Sequence, residues 1–316
     1  MQRLDGATPL PPGLAGGIVA LGNFDGLHLG HQAVVGAAVA RARAEGRPAL
    51  VATFDPHPVR LFKPDAAPFR LTSLDQRARL FAAAGVDAMM VFRFDAALAA
   101  LSARAFVEER LLGDLKIGGV VTGEDFTFGR ARSGTVATLR EWGRELGFSS
   151  DAVAPVALDG ETVSSTRIRQ YLAAGEPREA ARLLTRPFTI EGVVQHGDKL
   201  GRTIGYPTAN LDMGEYLRPA YGIYAVRGTL EDGRVLDGAA NLGIRPQFDP
   251  PKELLEPYFF DFAGDLYGQR LSVELIEYLR PEAKFETLDA LVAQMDADCA
   301  RARAILAHMP ASHNPA

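Results

Sequence analysis

An apolar run, Ile18-Val19-Ala20-Leu21, leads directly into Gly22-Asn23-Phe24-Asp25-Gly26-Leu27-His28-Leu29-Gly30-His31, and an alanine-rich helical stretch follows. The order reads as a buried strand, a glycine-rich turn and a helix. It confines this part of the chain to folds in which a strand hands over to a helix at the edge of a sheet. A helix N-terminus carries unpaired backbone N–H groups and a partial positive charge, and so forms a site for phosphate. His28 and His31, three residues apart, share one helix face. Gly30 between them lets a ligand approach the backbone closely.

Two histidines at this spacing could also be surface residues or zinc ligands. Helical zinc pairs sit at i, i+4 with further ligands nearby. Here the spacing is i, i+3, Cys299 is the only cysteine, and no third histidine is close. The strand, glycine turn and HxGH order therefore favours phosphate chemistry over metal. It resembles the HxGH signature of nucleotidylyltransferases.

A chain of 316 residues suits two domains of ordinary size. The net charge of −5 and a pI of about 5.7 argue against a non-specific nucleic-acid or anionic-membrane binder, so no nucleic acid and no membrane are expected as partners. One cysteine excludes an internal disulfide and a zinc–thiolate cluster. No apolar run is long enough for a transmembrane helix, and Met1-Gln2-Arg3-Leu4-Asp5 lacks a signal-peptide pattern, so a cytoplasmic location is expected.

Up to about residue 185, short apolar runs alternate with helical stretches. Strands are expected at 17–22, 49–55, 87–94, 117–123 and 152–156, and helices at 31–45, 73–84, 102–112 and 135–146. The βαβα order implies an α/β unit, a parallel sheet with helices on both faces. Ligands of such sheets sit beyond the carboxyl ends of the strands. Two helical pieces, 166–174 and 177–184, close this half, and Arg186-Pro187 marks a boundary. Beyond it, short strands at 188–195, 222–230, 234–241, 256–262 and 270–279, with a hairpin signal at Asp232-Gly233, read as a small antiparallel β-barrel. A terminal helix over 287–308 carries the stripe Leu288, Leu291, Val292, Met295, Cys299 and Ala302, which reads as core packing. The expected domains are 1–185 and 186–309, with a flexible tail at 310–316.

Three further segments agree with the opening motif. Thr53-Phe54-Asp55-Pro56-His57-Pro58 is a turn stiffened by prolines on both sides of His57. Gly123-Glu124-Asp125-Phe126-Thr127-Phe128-Gly129 places aromatics that can wall a flat ligand ring or equally belong to the core. Val163-Ser164-Ser165-Thr166-Arg167-Ile168-Arg169 joins hydroxyl donors at a helix start to two arginines. Its serines could simply cap the helix and its arginines be solvated, but together such groups form an oxyanion clamp.

GNFDGLHLGH, TFDPHP, GEDFTFG and VSSTRIR, in this order, resemble the FAD synthetase module of bacterial bifunctional riboflavin kinase/FMN adenylyltransferases. Val163 stands where that family often has Ile, and Thr127 where it often has Arg. The resemblance implies attack of the FMN phosphate on the α-phosphorus of ATP with loss of pyrophosphate, driven by positioning and charge neutralisation. It implies catalytic His28, His31 and Arg167. ATP would be bound by Gly22, Asn23, Phe24, Asp25, Gly30, Ser165, Thr166 and Arg169. Flavin would be bound by His57, Asp125, Phe126 and Phe128. Mg²⁺ is expected with the ATP.

In the second half, Gly197-Asp198-Lys199-Leu200-Gly201-Arg202-Thr203-Ile204-Gly205-Tyr206-Pro207-Thr208-Ala209-Asn210 has glycines that can shape a loop over phosphates, but it is no P-loop. Thr208 and Asn210, at i, i+2 on an extended segment, point to one side and could help hold a hard cation; a capped barrel loop is the plainer alternative. With YGIYAV, NLGIRP, LEPYFFDF and DLYGQ further on, this stretch resembles the riboflavin kinase module of the same family. The resemblance implies ATP binding by Gly197, Lys199, Gly201, Gly205, Pro207, Thr208 and Asn210, with Thr208 and Asn210 on Mg²⁺. It implies Glu256 as base on the riboflavin 5′-hydroxyl, with Glu253 a less well spaced alternative. Gln247 stands where the family commonly has Thr.

The implied enzyme makes FMN from riboflavin and ATP in the second domain, and FAD from FMN and ATP in the first. HxGH alone does not choose the base, so cytidylyl transfer stays open, as does a barrel that merely holds flavin. The expected state is a monomer or weak homo-oligomer.

Overall fold

The computed structural model describes residues 1–6, 8–196, 205–245 and 252–309. The chain divides into two compact units. One comprises Met1–Ala67 and Ser73–Ser164, the other Pro68–Thr72 and the chain from Ser165 onward.

Among the described residues the first unit holds ten strands: β1 (Gln2–Leu4), β2 (Ile18–Leu21), β3 (Ala49–Asp55), β4 (Ala88–Arg93), β5 (Gly119–Gly123), β6 (Thr127–Phe128), β7 (Gly134–Thr135), β8 (Ser149–Val153), β9 (Ala157–Leu158) and β10 (Glu161–Thr162). β6 with β7, and β9 with β10, form two-stranded antiparallel ribbons. The other six form the expected parallel sheet, in the order β1-β4-β3-β2-β5-β8. Its helices are α1 (Leu29–Ala44), α2 (Pro58–Phe62), α3 (Leu74–Ala83), α4 (Ala96–Ala100), α5 (Ala103–Ala105) and α6 (Val136–Leu146).

Both faces of the sheet are buried. Val19, Leu21, Leu50 and Ala52 pack with Phe106, Leu111 and Leu139 on one side. Ile18, Ala20, Val51 and Met89 pack with Val35, Ala38 and Phe81 on the other. This is why the strands read as continuous apolar runs rather than alternating ones. After β1 at one edge, the chain enters the middle of the sheet at β2, runs outward through β3 and β4, and returns to the other side of β2 for β5. The crevice between the carboxyl ends of β2 and β5 is thus the switch point, where ligands of such sheets bind.

Two expectations differ in detail. The last sheet strand is Ser149–Val153, earlier than 152–156, because its Ser149 end pairs with Gly119 and donates from Oγ to the Gly118 carbonyl at 3.2 Å. Being a polar edge strand, it lacks the apolar run that marks the others. The helix expected at 102–112 begins as α5 but continues over Phe106–Asp114 as a π-helix, a hydrogen-bond shift that an apolar period does not encode.

The second unit opens with α7 (Ser165–Ala173) and α8 (Pro177–Leu184). Among the described residues six strands follow: β11 (Phe188–Val193), β12 (Leu211–Asp212), β13 (Gly222–Leu230), β14 (Val235–Arg245), β15 (Lys252–Phe259) and β16 (Arg270–Arg280), then α9 (Leu288–Leu306). The strands are antiparallel in the order β11-β16-β13-β14-β15-β12. The Gln195 N–H donates to the Asn210 carbonyl at 2.9 Å and links the two edges into a nearly closed barrel. The hairpin at Asp232-Gly233 joins β13 to β14, with Gly233 at φ +84°.

α7 and α8 pack with the barrel, although the sequence places them at the end of the first half. α8 buries Ala180, Leu183 and Leu184, Arg178 pairs with Glu277, and the Ala220 N–H donates to the Leu172 carbonyl at 2.9 Å. The stripe of α9 is core only at its C-terminal end. Ala302 and Leu306 are buried, Leu288 is 58% exposed, and Leu291, Met295 and Cys299 line a cavity. Among the described residues no helix is long and apolar enough to cross a membrane.

The C-terminus of α9 is held by a buried arginine. Arg227 on β13 donates to the Leu306 carbonyl at 3.0 Å and the Met309 carbonyl at 2.7 Å, and pairs with Asp237 at 2.9 Å. Arg227→Met is expected to destabilise this unit by about 2–4 kcal/mol, since it strips buried carbonyls and a carboxylate of their donor. Urea denaturation followed by tryptophan-independent circular dichroism checks this.

Candidate active sites

In the first unit, Ala20 and Leu21 end a fully buried strand, and the loop 22–28 turns over its carboxyl end. The turn requires left-handed backbone at Phe24, Gly26 and Leu27, with φ of 51°, 90° and 42°. His28 sits just before α1 as its N-cap. Its Nδ1 accepts the His31 backbone N–H at 3.3 Å. The two imidazoles stack with centroids 3.6 Å apart, and the buried Phe24 ring meets His31 edge-on at 5.4 Å. At Gly30, a Cβ would lie 3.2 Å from His28 Cε1 and 3.7 Å from the Val163 carbonyl. Glycine thus leaves room for the His28 ring and brings the start of the VSSTRIR stretch alongside. Asp25 is buried within the loop, and Gly22 lies against the Phe24 ring.

One residue essential to this geometry escaped the sequence reading. The buried Arg77 of α3 donates to the Asn23 carbonyl at 3.1 Å and to Thr53 Oγ1 at 3.2 Å, and approaches Asp55 at 3.8 Å. Thr53 Oγ1 donates to the same carbonyl at 2.9 Å. One guanidinium therefore ties the loop after β2 to the loop after β3. Asn23 Oδ1 is buried with no hydrogen-bond partner among the described residues. The only sequence signal for Arg77 is an arginine inside a helix that opens with a serine–glutamine capping box, Ser73 and Gln76.

His57 caps α2 through Nδ1, which accepts the Val59 N–H at 3.2 Å. Asp125 is exposed beside Gly123. Phe126 is half-buried and stacks on Phe128 at 5.9 Å. Phe128 itself belongs to the core, packed by Phe106 and Trp142. It therefore stands behind Phe126. Thr127 Oγ1 accepts from Arg132 Nε at 2.8 Å, so a guanidinium stands beside the position where Thr127 leaves none.

Ser165 and Thr166 open α7 in the second unit. Arg167 is held on Tyr171, whose hydroxyl accepts from Nε and Nη2 at 3.1 and 2.9 Å. Arg169 donates to the Phe69 carbonyl at 2.8 Å and lies over the Phe69 ring.

The barrel and α9 line an open cavity of about 710 Å³, within the range of small-molecule sites. Tyr206, Pro207, Thr208 and Asn210 line one wall. Asn241, Arg245, Glu256 and Tyr258 come from β14 and β15, and Met295 and Cys299 from α9. Burial pushes the Cys299 thiol up to about 11, so it meets a ligand as a neutral, small apolar group. Thr208 and Asn210 thus share the cavity with Glu256. Asn210 is 8% exposed. Their oxygens suit a hard cation that keeps most of its shell from water and phosphate. Among the described residues no three His, Cys, Asp or Glu side chains cluster as a metal site.

The two candidate bases separate clearly. Glu256 lines the cavity and is bonded by Arg245. Glu253 is taken up elsewhere, by Arg218 at 2.7 Å and by the Tyr221 hydroxyl. Burial would raise the Glu253 carboxyl, but these two donors outweigh it and hold the group below its usual range. Gly205 is exposed at φ +86°. Gly197, Lys199, Gly201, Gln247 and the tail 310–316 lie outside the described residues.

Residues 11–167 match the FAD synthetase family and residues 184–306 the riboflavin kinase family. The bifunctional riboflavin kinase/FMN adenylyltransferase of Escherichia coli strain K12 is 40% identical over 91% of this chain and 92% of its own length. That of Pseudomonas fluorescens is 41% identical over 99% of this chain and 100% of its own, and that of Bacillus subtilis is 35% identical over 89% and 90%. A crystal structure from Streptococcus pneumoniae, described as a macrolide-efflux protein, superposes with a TM-score of 0.86 at 30% identity, covering 98% of this chain and 100% of that one. With both half-chain families matched in order and relatives similar along nearly the whole length, this chain belongs to the bifunctional riboflavin kinase/FMN adenylyltransferase family.

Proposed function

We propose a division of labour within this bifunctional flavin-cofactor enzyme, with adenylyl transfer assigned to 1–185 and the kinase to 186–309. The chain phosphorylates riboflavin to FMN and adenylylates FMN to FAD. The observation that carries the kinase assignment is the meeting of Thr208, Asn210 and Glu256 in one ligand-sized cavity.

In the kinase reaction Glu256 orients the riboflavin 5′-hydroxyl and accepts its proton as the oxygen bonds to the γ-phosphorus and ADP leaves. Thr208 and Asn210 hold Mg²⁺ and the phosphates, aided by Gly197, Lys199, Gly201, Gly205 and Pro207. Mg²⁺ supplies neutralisation of the charge that builds on the transferring group.

In the adenylyl transfer an FMN phosphate oxygen bonds to the α-phosphorus of ATP and pyrophosphate leaves, with no covalent enzyme intermediate. His28 and His31 stabilise the charge at the α-phosphate, on the helix N-terminus that already favours an anion. Gly22, Asn23, Phe24, Asp25 and Gly30 shape the nucleotide loop, and the buried Asn23 Oδ1 is left to accept from the ligand. Ser165, Thr166, Arg167 and Arg169 hold phosphates. Asp125, Phe126 and His57 serve the flavin, with Phe128 behind them. The protein works in the cytoplasm as a monomer or weak homo-oligomer, without nucleic-acid or membrane partners.

Incubating the protein with riboflavin, ATP and Mg²⁺ and resolving flavins by chromatography tests the scheme. FMN should rise and then give way to FAD, and chelation of the cation should stop both. FMN accumulating without FAD, and consumed only when CTP is added, with release of pyrophosphate and formation of a flavin–cytidine dinucleotide, would replace the adenylyl assignment by cytidylyl transfer. Tight flavin binding with no ATP consumed would replace both.

A further inference from the structure

The cavity wall carries a charged network that no proposed role uses. Arg245, at the end of β14, bonds the Glu256 carboxylate through Nη2, and its Nη1 lies 3.5 Å from Glu282 Oε1. Asn241 Nδ2 reaches the same Oε1 at 3.3 Å. Asn241, Gly243 and Arg245 share one face of β14 by the two-residue period of a strand, and Asn241 stands directly opposite Glu256 on β15. At Gly243 a Cβ would lie 2.1 Å from Glu282 Oε1. The glycine thus leaves the space into which Glu282 reaches.

We propose that Arg245 is a positioning residue for Glu256, and that Glu282, admitted by Gly243 and steadied by Asn241, is the anchor that fixes Arg245. The inference rests on the reading of Glu256 as the kinase base. A glutamate side chain has three torsions, whereas a base must meet its hydroxyl at hydrogen-bond distance. A planar guanidinium restricts the carboxylate it grips. Arginine is itself long and flexible, so the grip orients Glu256 only if the far side of the guanidinium is also held. Without Arg245, two carboxylates would face one another with no positive group between them and move apart.

The experiment is steady-state kinetics of FMN formation on the full chain, with FAD formation from added FMN as the control for folding. Arg245→Met should lower kcat about 100-fold while KM for riboflavin and ATP changes less than about threefold, the signature of lost orientation rather than lost binding. Arg245→Lys should recover a large part of that loss. Glu282→Gln and Gly243→Ala should each lower kcat about 5–20-fold at unchanged KM, because both loosen the anchor without touching the base. Gly243 has no left-handed φ, so the alanine displaces only the tip of Glu282.

A raised KM with kcat retained in Arg245→Met would make Arg245 a substrate contact and overturn the proposal. Unchanged kcat in both anchor variants would overturn the role of Glu282. Glu256→Gln is measured in parallel. If it keeps full kcat, the base assignment itself falls; if it is inactive while Arg245→Met is not, only the positioning role falls.

Discussion

His28→Ala is expected to reduce FAD formation from FMN by about 10³-fold or more, the scale on which removing a group that stabilises transition-state charge acts. FMN formation from riboflavin should stay within about twofold of the unaltered protein, because the kinase chemistry is assigned to other residues in another unit. The structure adds a complication that the motif alone hides. His28 is also the N-cap of α1, and alanine at a cap costs about 1 kcal/mol. His28→Asn separates the two roles. Asparagine caps well but offers no imidazole to a phosphate, so stability should be kept and FAD formation still lost. Both activities falling together in His28→Asn would sink the two-site scheme. Normal FAD formation in that variant would reduce His28 to a cap.

Glu256→Gln should suppress FMN formation by about 10²–10⁴-fold, the range for loss of a general base. Glutamine nearly matches the shape of the side chain and can still accept from Arg245, so the change removes the proton acceptor and little else. FMN supplied from outside should still be adenylylated, and the product of a riboflavin incubation should therefore be neither FMN nor FAD. Glu253→Gln is the contrasting variant. Its carboxylate is occupied by Arg218 and Tyr221, so it should lose stability before it loses kinase turnover. The reverse pattern in the two variants would move the base to Glu253.

The sequence is most legible where a local rule acts alone. Ala49–Asp55, Gly222–Leu230 and Pro177–Leu184 fall where the apolar runs and Pro177 at a helix start put them. The HxGH loop is equally clear, since strand, glycines and helix follow in one short stretch. Thr208, Asn210 and Glu256, proposed for the kinase site, come from resemblance, and all three line one cavity. Legibility fails where partners are far apart in sequence. Arg77 finds Asn23 and Thr53 across the fold, and nothing near Arg77 announces that it is buried. Phe128 is the opposite case, an aromatic between glycines that suits ligand or core equally well until Trp142 and Phe106 are seen around it. The strand β12 has two residues and earns its place by pairing with β15, which no periodicity could reveal. On α9 the apolar stripe is correctly spaced but serves two environments, interior at Ala302 and cavity at Met295, and hydrophobicity does not separate a wall from a core.

The order in which the first sheet is strung also governs how it can be assembled. β2, the strand that delivers the histidine loop, pairs on one side with β3 and on the other with β5, so that Ile18 meets both Ala49 and Gly119. During synthesis the first of these neighbours leaves the ribosome early and the second only after a long intervening segment. Pairings so distant along the chain are slow to form, because a large loop must close before any contact rewards it. The histidine loop therefore spends the early life of the polypeptide beside a half-built sheet, with one flank of its central strand open to mispairing. Nascent chains truncated before Gly119 should be held by chaperones, and the capacity to bind nucleotide should arise late and abruptly as β5 docks.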